Sequence, residues 1–284
     1  PLPSRVIGMD IPPVAVSLAR VSYLIAVGNR RLQDPTRGPV TIPVYLGDSI
    51  QWEQHTDLLA GLSDITISTE GDDLVSGGGA LFGDELKFPV SVLDDAHNFD
   101  QLVSDMADAA VDPGKDSKAP KIVMAPILKR RGITDDADQN QLTVTYDTMR
   151  KLHRTGRNHI WGYYVRNLIR PLWLTKGDNR VDVIIGNPPW LRYGKMTPGM
   201  QDRYKGLAKD RNLVSGGLGA TGRDLSTLFV ARCVELYLKP EGHFSFVMPH
   251  GVLSRKPHSG FRTGKWSSKL VSLAVAFDEA WDLD

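Results

Sequence analysis

Residues 181–190, VDVIIGNPPW, carry the chain's most concentrated chemical signal. A run rich in Val and Ile predicts a fully buried strand, and two consecutive prolines must halt it because neither can donate to a sheet ladder. The residue before a proline is pushed to extended geometry, so Asn187 is held beyond the strand's carboxyl end, where ligands bind in open α/β sheets. The Asn187 side-chain oxygen and the Pro188 carbonyl, which faces no neighbouring donor because Pro189 lacks an N–H, are two acceptors suited to an amino group. Trp190 adds a flat face for stacking. Together they fit a planar base bearing an exocyclic amine. The plainer alternative is a strand-to-loop turn, since Gly, Asn and Pro are ordinary turn residues.

Residues 5–10, RVIGMD, form a short strand ending in Asp10, and Pro12 opens a helix running to about Gly28, with Val14, Leu18, Val21 and Ile25 at helical spacing. In nucleotide-binding α/β folds an acid so placed commonly accepts both hydroxyls of a ribose, while an isolated Asp reads more simply as a solvated loop residue. Residues 44–49, VYLGDS, repeat the strand-then-acid pattern with Asp48, for which a turn or helix-cap role is the competing reading. Asp224 is a candidate N-cap for a helix reaching Leu238, whose buried face holds Leu228, Phe229, Ala231, Val234 and Glu235. The segment at 239–242 ends that helix; a strand follows from His243 to Val247, closed by Pro249, and another spans 271–277.

These motifs resemble those of S-adenosylmethionine-dependent amino-methyltransferases. IGNPPW looks like their catalytic motif and, with Trp last, most resembles that of N6-adenine DNA methyltransferases. MDIPPVAVSLAR resembles the segment whose acid holds the ribose of S-adenosylmethionine, which assigns Asp10 and Ile11 to the cofactor. Asp48 and Ser49 match the positions that take the cofactor's adenine amino group and line its ring. The run DLSTLFVARCVELYLKPEGHFSFVMPHGVL resembles the helix and strand after the catalytic motif. The resemblance covers residues 5–50 and about 142–284 and implies a Rossmann-like α/β sheet. Its glycine-rich cofactor loop and first strand have no counterpart, so the sheet is expected to be incomplete. The chain then reads as a fragment of the gamma arrangement, cofactor loop first and target recognition last, in a large restriction-modification or phage-defence enzyme. Three parts follow: residues 1–50 as the first part of the core, 51–175 as an insertion and helical region, and 176–284 as the catalytic part.

Asn187, Pro188, Pro189 and Trp190 are thereby the catalytic residues, and double-stranded DNA is the partner, alongside a nuclease, helicase or specificity component. Arg192, Lys195, Arg255, Lys256 and Arg262 flank the motif as candidates for phosphate contact, although surface charge is usually just solvated. Three features are weaker. Gly217, Gly219 and Gly222 spell G-x-G-x-x-G without a preceding strand, which reads as a loop. His55 and His97 lack metal-ligand spacing. Arg150, Lys151, Arg154 and Arg157 cluster in a helical stretch from about 142 to 174, where Met149, Leu152, Trp161, Tyr164, Leu168 and Leu172 form a core stripe.

Composition bounds the rest. The 284 residues are 41% hydrophobic with a net charge of +1, enough for a real core and too balanced for a global basic field. A single cysteine, Cys233, excludes an intrachain disulfide and a cysteine zinc cluster. With no signal-peptide pattern or membrane-length apolar run, a cytoplasmic, prokaryotic setting is expected. Two other functions fit parts of the pattern: methylation of another planar amine, such as guanine N2 in RNA or a protein glutamine, and a non-catalytic nucleic-acid-binding module.

Overall fold

The structure, a computed structural model, describes residues 5–37, 42–50, 64–68, 85–156, 161–213, 223–267 and 272–281. Contacts divide the chain into two compact units, Pro1–Asp48 with Asp57–Trp173, and Ser49–Thr56 with Leu174–Asp284.

The first unit opens with β1 (Gly8–Asp10), which leads through Pro12 into α1 (Pro13–Val27). Gly28, at φ 83°, takes a conformation that L side chains resist and starts the short α2 (Asn29–Leu32). Parallel to β1 runs β2 (Val44–Leu46), with Gly8 opposite Val44 and Asp10 opposite Leu46. Arg20 of α1 locks the pair by donating from Nε and Nη2 to the Val44 carbonyl, at 3.0 and 2.8 Å. The buried side of α1 is Val16 and Tyr23, packed with Val44. The stripe singled out by its spacing, Val14, Leu18, Val21 and Ile25, is instead exposed. Periodicity reveals that a helix has an apolar face; which neighbour covers it depends on strands far away in sequence.

The remainder of this unit is not purely helical. Strands β3 (Asp64–Ser68) and β4 (Glu85–Pro89) pair antiparallel and place Ile65, Ile67, Leu86 and Phe88 in a core with α3 (Ala96–Val111), α4 (Pro120–Arg130) and α5 (Asp136–Arg154). Asp95 and Asp135 cap α3 and α5 by accepting backbone N–H groups of the first turn. The helical stretch expected from about 142 to 174 is two helices, α5 and α6 (Trp161–Thr175), with Gly156 turning at φ 72° after α5. Met149 and Leu152 are buried as the stripe required.

In the second unit β5 (Val181–Gly186) is followed by α7 (Pro198–Asp210), α8 (Leu225–Tyr237) and β6 (Leu238–Phe246). Strands β5 and β6 are parallel, Val183 opposite His243 and Gly186 opposite Phe246, with a register shift between Val181 and Val183. The expectation that β5 is fully buried fails: Val183 is 54% and Ile185 81% exposed. Alternate residues face opposite sides, and only the Ile184 side packs on the core. Strand β6 starts five residues earlier than expected, directly from α8, despite Pro240 and Gly242. Gly242 permits this, because a Cβ there would sit 2.9 Å from the Asp182 carbonyl oxygen. Short helices α9 (Gly251–Ser254) and α10 (Ser259–Arg262) lead to β7 (Lys265–Ser267), which pairs antiparallel with β8 (Ser272–Ala274), shorter than the strand expected at 271–277. Apart from half-buried Phe229, all of α8 is buried.

The architecture is thus mixed α/β. Rather than one continuous sheet, the described residues form four two-stranded sheets, two parallel and two antiparallel. Among those residues no helix is long and apolar enough to cross a membrane.

Candidate active site

In the first unit, Asp10 and Asp48 lie at the carboxyl ends of adjacent parallel strands, and the Gly47 N–H donates to the Asp10 carbonyl at 3.0 Å, extending the ladder past β2. Asp10 is exposed, and its Oδ1 accepts the Ile11 N–H at 2.8 Å. A carboxylate offers about four lone-pair sites, so Asp10 retains capacity for two hydroxyl donors, as a ribose requires. Ile11 is exposed beside it, and Asp48 is half-buried. The turn carrying Asp48 is held from α6: buried Asn167 accepts the Leu46 N–H at 2.8 Å. Gly47 sits so close to α6 that a Cβ would come within 2.7 Å of the Pro171 side chain. Neither support was legible in the sequence, since a lone Asn inside a helical stretch gives no sign of reaching a strand more than a hundred residues away.

In the second unit, the Val247 N–H donates to the Gly186 carbonyl at 3.0 Å, carrying the β5–β6 ladder to the edge of Asn187. The prolines then end it. Asn187 is exposed, Pro188 buried and Pro189 exposed. The Trp190 indole N–H donates to the Val247 carbonyl at 3.2 Å, which ties the ring to the end of β6 while the residue stays 55% exposed. An anchored, open aromatic thus follows an open amide at the carboxyl end of a parallel pair. That arrangement can accept N–H groups and stack on a flat ring.

The segment after Trp190 is stitched to the start of α8. Leu225 N–H donates to Leu191 O at 2.8 Å and Tyr193 N–H to Arg223 O at 2.9 Å. Asp224 caps α8 by accepting from Ser226, and its Oδ2 lies 3.6 Å from the imidazole of buried His258. Buried Tyr204, whose hydroxyl donates to the Asp224 carbonyl at 3.4 Å, has its pKa pushed up by burial to about 12 and stays neutral.

All five residues singled out for DNA contact fall in this second unit. Arg192, Lys195, Arg255 and Lys256 are exposed. Arg262 differs: half-buried, it donates from Nη1 to the carbonyls of Val252 and Arg255, at 2.7 and 2.9 Å, and so holds the loop that displays Arg255 and Lys256. In the first unit, Arg150 and Arg154 of the other basic cluster are committed to Asp147 and Asp116. Arg157, His55 and the three glycines of the G-x-G-x-x-G match lie outside the described residues.

The sequence placed Glu235 on the buried face of α8 but gave no sign of the two arginines that meet it there. Arg211 and Arg232 both engage Glu235, Arg211 through two hydrogen bonds of 2.5 and 3.0 Å, and all three are buried. Burial pulls the Arg232 pKa below its usual value, with the Glu235 carboxylate opposing that shift.

The family model described as Eco57I restriction-modification methylase matches residues 4–280. No curated protein and no solved structure matches the chain.

Proposed function

The chain belongs to the Eco57I restriction-modification methylase family, a family of DNA methyltransferases, and from that premise we propose that it transfers a methyl group from S-adenosylmethionine to adenine N6 in DNA. The observation that carries this reading is the pairing of exposed Asn187, just past the end of β5, with Trp190, anchored to Val247 yet open. Asp10 and Asp48, the candidate cofactor acids, precede the candidate catalytic motif in the chain, an order that fits the gamma arrangement. Each unit contributes one parallel pair with its candidate side chains at the carboxyl end, which supports a nucleotide-binding α/β reading.

Bound S-adenosylmethionine would supply an electrophilic methyl on a sulfonium. Asp10 would accept the ribose hydroxyls; Asp48 and Ser49 would receive the adenine end. Adenine's exocyclic nitrogen is a poor nucleophile because its lone pair is delocalised into the ring. Asn187 Oδ1 and the Pro188 carbonyl would each accept one of its N–H groups, drawing the nitrogen toward tetrahedral geometry and aiming the lone pair at the methyl. As the N–C bond forms, the C–S bond breaks and a neutral thioether leaves. The methylated N6 cation is strongly acidic and passes its surplus proton to water, so this is catalysis by orientation and placed dipoles, with no strong base needed. Trp190 would stack on the extruded base and offset part of the few kcal/mol that unstacking costs. Arg192, Lys195, Arg255 and Lys256 would contact phosphates, with Arg262 supporting the last two.

The test is to incubate the full-length protein with labelled S-adenosylmethionine and duplex DNA and to identify the methylated nucleoside by mass spectrometry. N6-methyladenine is the expected product. Label on guanine, on cytosine or on protein overturns the adenine assignment.

A further inference from the structure

Within the second unit, two consecutive backbone carbonyls, those of Ser49 and Ile50, are held by side chains of α8. The Arg232 Nε–H donates to the Ile50 carbonyl at 2.9 Å, and the Tyr237 hydroxyl to the Ser49 carbonyl at 3.0 Å. Both belong to the second unit, and Ile50 is 2% exposed within its core. Carbonyls in a turn have no ladder partners and must be satisfied otherwise. Here one helix satisfies two in succession.

The means are costly. Arg232 is fully buried, and its charge is met by Glu235, which must also serve Arg211. Replacing buried ion groups with apolar residues of similar volume is often neutral or stabilising, so stability alone gives little reason for a guanidinium here. What an apolar residue cannot supply is a directed donor to the Ile50 carbonyl.

We infer that Arg232 and Tyr237 are positioning residues for the cofactor, fixing the backbone of Ser49 and Ile50 so that Ser49 meets the cofactor's adenine ring in one geometry. This rests on the reading of Ser49 as a cofactor-lining residue. Neither side chain touches the reacting atoms. Their effect falls on cofactor affinity, because small displacements of a binding group are expensive, and leaves the chemistry at Asn187 alone.

The experiment uses the full-length protein and two variants, Tyr237→Phe, which removes only the hydroxyl, and Arg232→Lys, which keeps the charge but loses the guanidinium fork. Calorimetry gives the Kd for S-adenosylmethionine, a separate titration gives the Kd for duplex DNA, and hydrogen exchange reports on the peptide spanning Ser49 and Ile50. Tyr237→Phe should raise the cofactor Kd roughly three- to tenfold, as loss of one hydrogen bond implies. Exchange at the turn should accelerate, while the DNA Kd and kcat at saturating cofactor stay within about twofold, a change too small to count as a lost contact. Arg232→Lys should show the same signature; if it does not fold, Tyr237→Phe decides. Unchanged cofactor affinity in Tyr237→Phe overturns the inference, as does equal weakening of both ligands in step with a fall in Tm. A wild-type protein that is folded and binds DNA but takes no cofactor refutes the Ser49 reading, and the inference falls with it.

Discussion

Replacing Trp190 separates its two roles. Its N–H anchors the ring to the Val247 carbonyl at 3.2 Å, and its surface, 55% exposed, is available for stacking. Trp190→Phe keeps a flat face and loses the anchor, a half-exposed hydrogen bond worth about 0.5 kcal/mol, or about a twofold effect. Trp190→Ala also loses the face. Base–aromatic stacking contributes about 1–3 kcal/mol, so capture of the flipped base should weaken about 5- to 150-fold. The fold should suffer less than the 3–5 kcal/mol typical of a buried Trp→Ala change. Fluorescence of 2-aminopurine placed at the target position reports extrusion directly, and single-turnover methyl transfer at saturating DNA reports the residual rate. The expected order is wild type, Phe, then Ala, with the large step between Phe and Ala. Equal effects for Phe and Ala, or extrusion undiminished in Ala, would refute the stacking argument.

Two further substitutions probe other parts. Asp10→Ala should weaken S-adenosylmethionine binding about tenfold or more by removing a charged acceptor, with Tm nearly unchanged because the exposed carboxylate bonds only to its neighbour's N–H among the contacts described; calorimetry that finds wild-type affinity shows the ribose site to be elsewhere. Gly242→Ala should destabilise the β5–β6 pair by about 1–3 kcal/mol, since the new methyl would meet the Asp182 carbonyl at 2.9 Å and the Leu238 side chain at 2.7 Å; an unchanged denaturation midpoint contradicts the crowding.

Features written locally were the legible ones. RVIGMD and VYLGDS each announced a strand leading to an acid, and β1 and β2 do pair in parallel, with Asp10 opposite Leu46 and Asp48 two residues beyond the end of β2. Asp224 announced a helix start and caps α8. Features that depend on distant partners were not legible. The exposed side of α1 and the exposed Ile185 follow from where packing neighbours lie, which a periodic pattern does not encode. The β3–β4 hairpin joins segments alternating in Ile65–Ile67 and Leu86–Phe88, short signals separated by a long intervening stretch. Asn167 supporting Leu46, and Arg232 supporting Ile50, bridge 121 and 182 residues of sequence. The open amide and aromatic of GNPPW were readable because two prolines enforce their setting within a few residues; the contacts to Leu46 and Ile50 were not, because each is a single polar contact made across a long stretch of sequence.

The central claim is that Asn187, exposed beyond β5, orients an adenine amine for methyl transfer. Single-turnover transfer from labelled S-adenosylmethionine to an adenine-containing duplex, by full-length wild-type and Asn187→Ala proteins with DNA and cofactor affinities measured in parallel, tests it most directly. Because the Asn187 contact strengthens as the nitrogen approaches the methyl, its loss should fall on the chemical step: N6-methyladenine formation is abolished while both ligands still bind. Methylation by Asn187→Ala at the wild-type rate would make GNPPW no more than a turn and contradict the account.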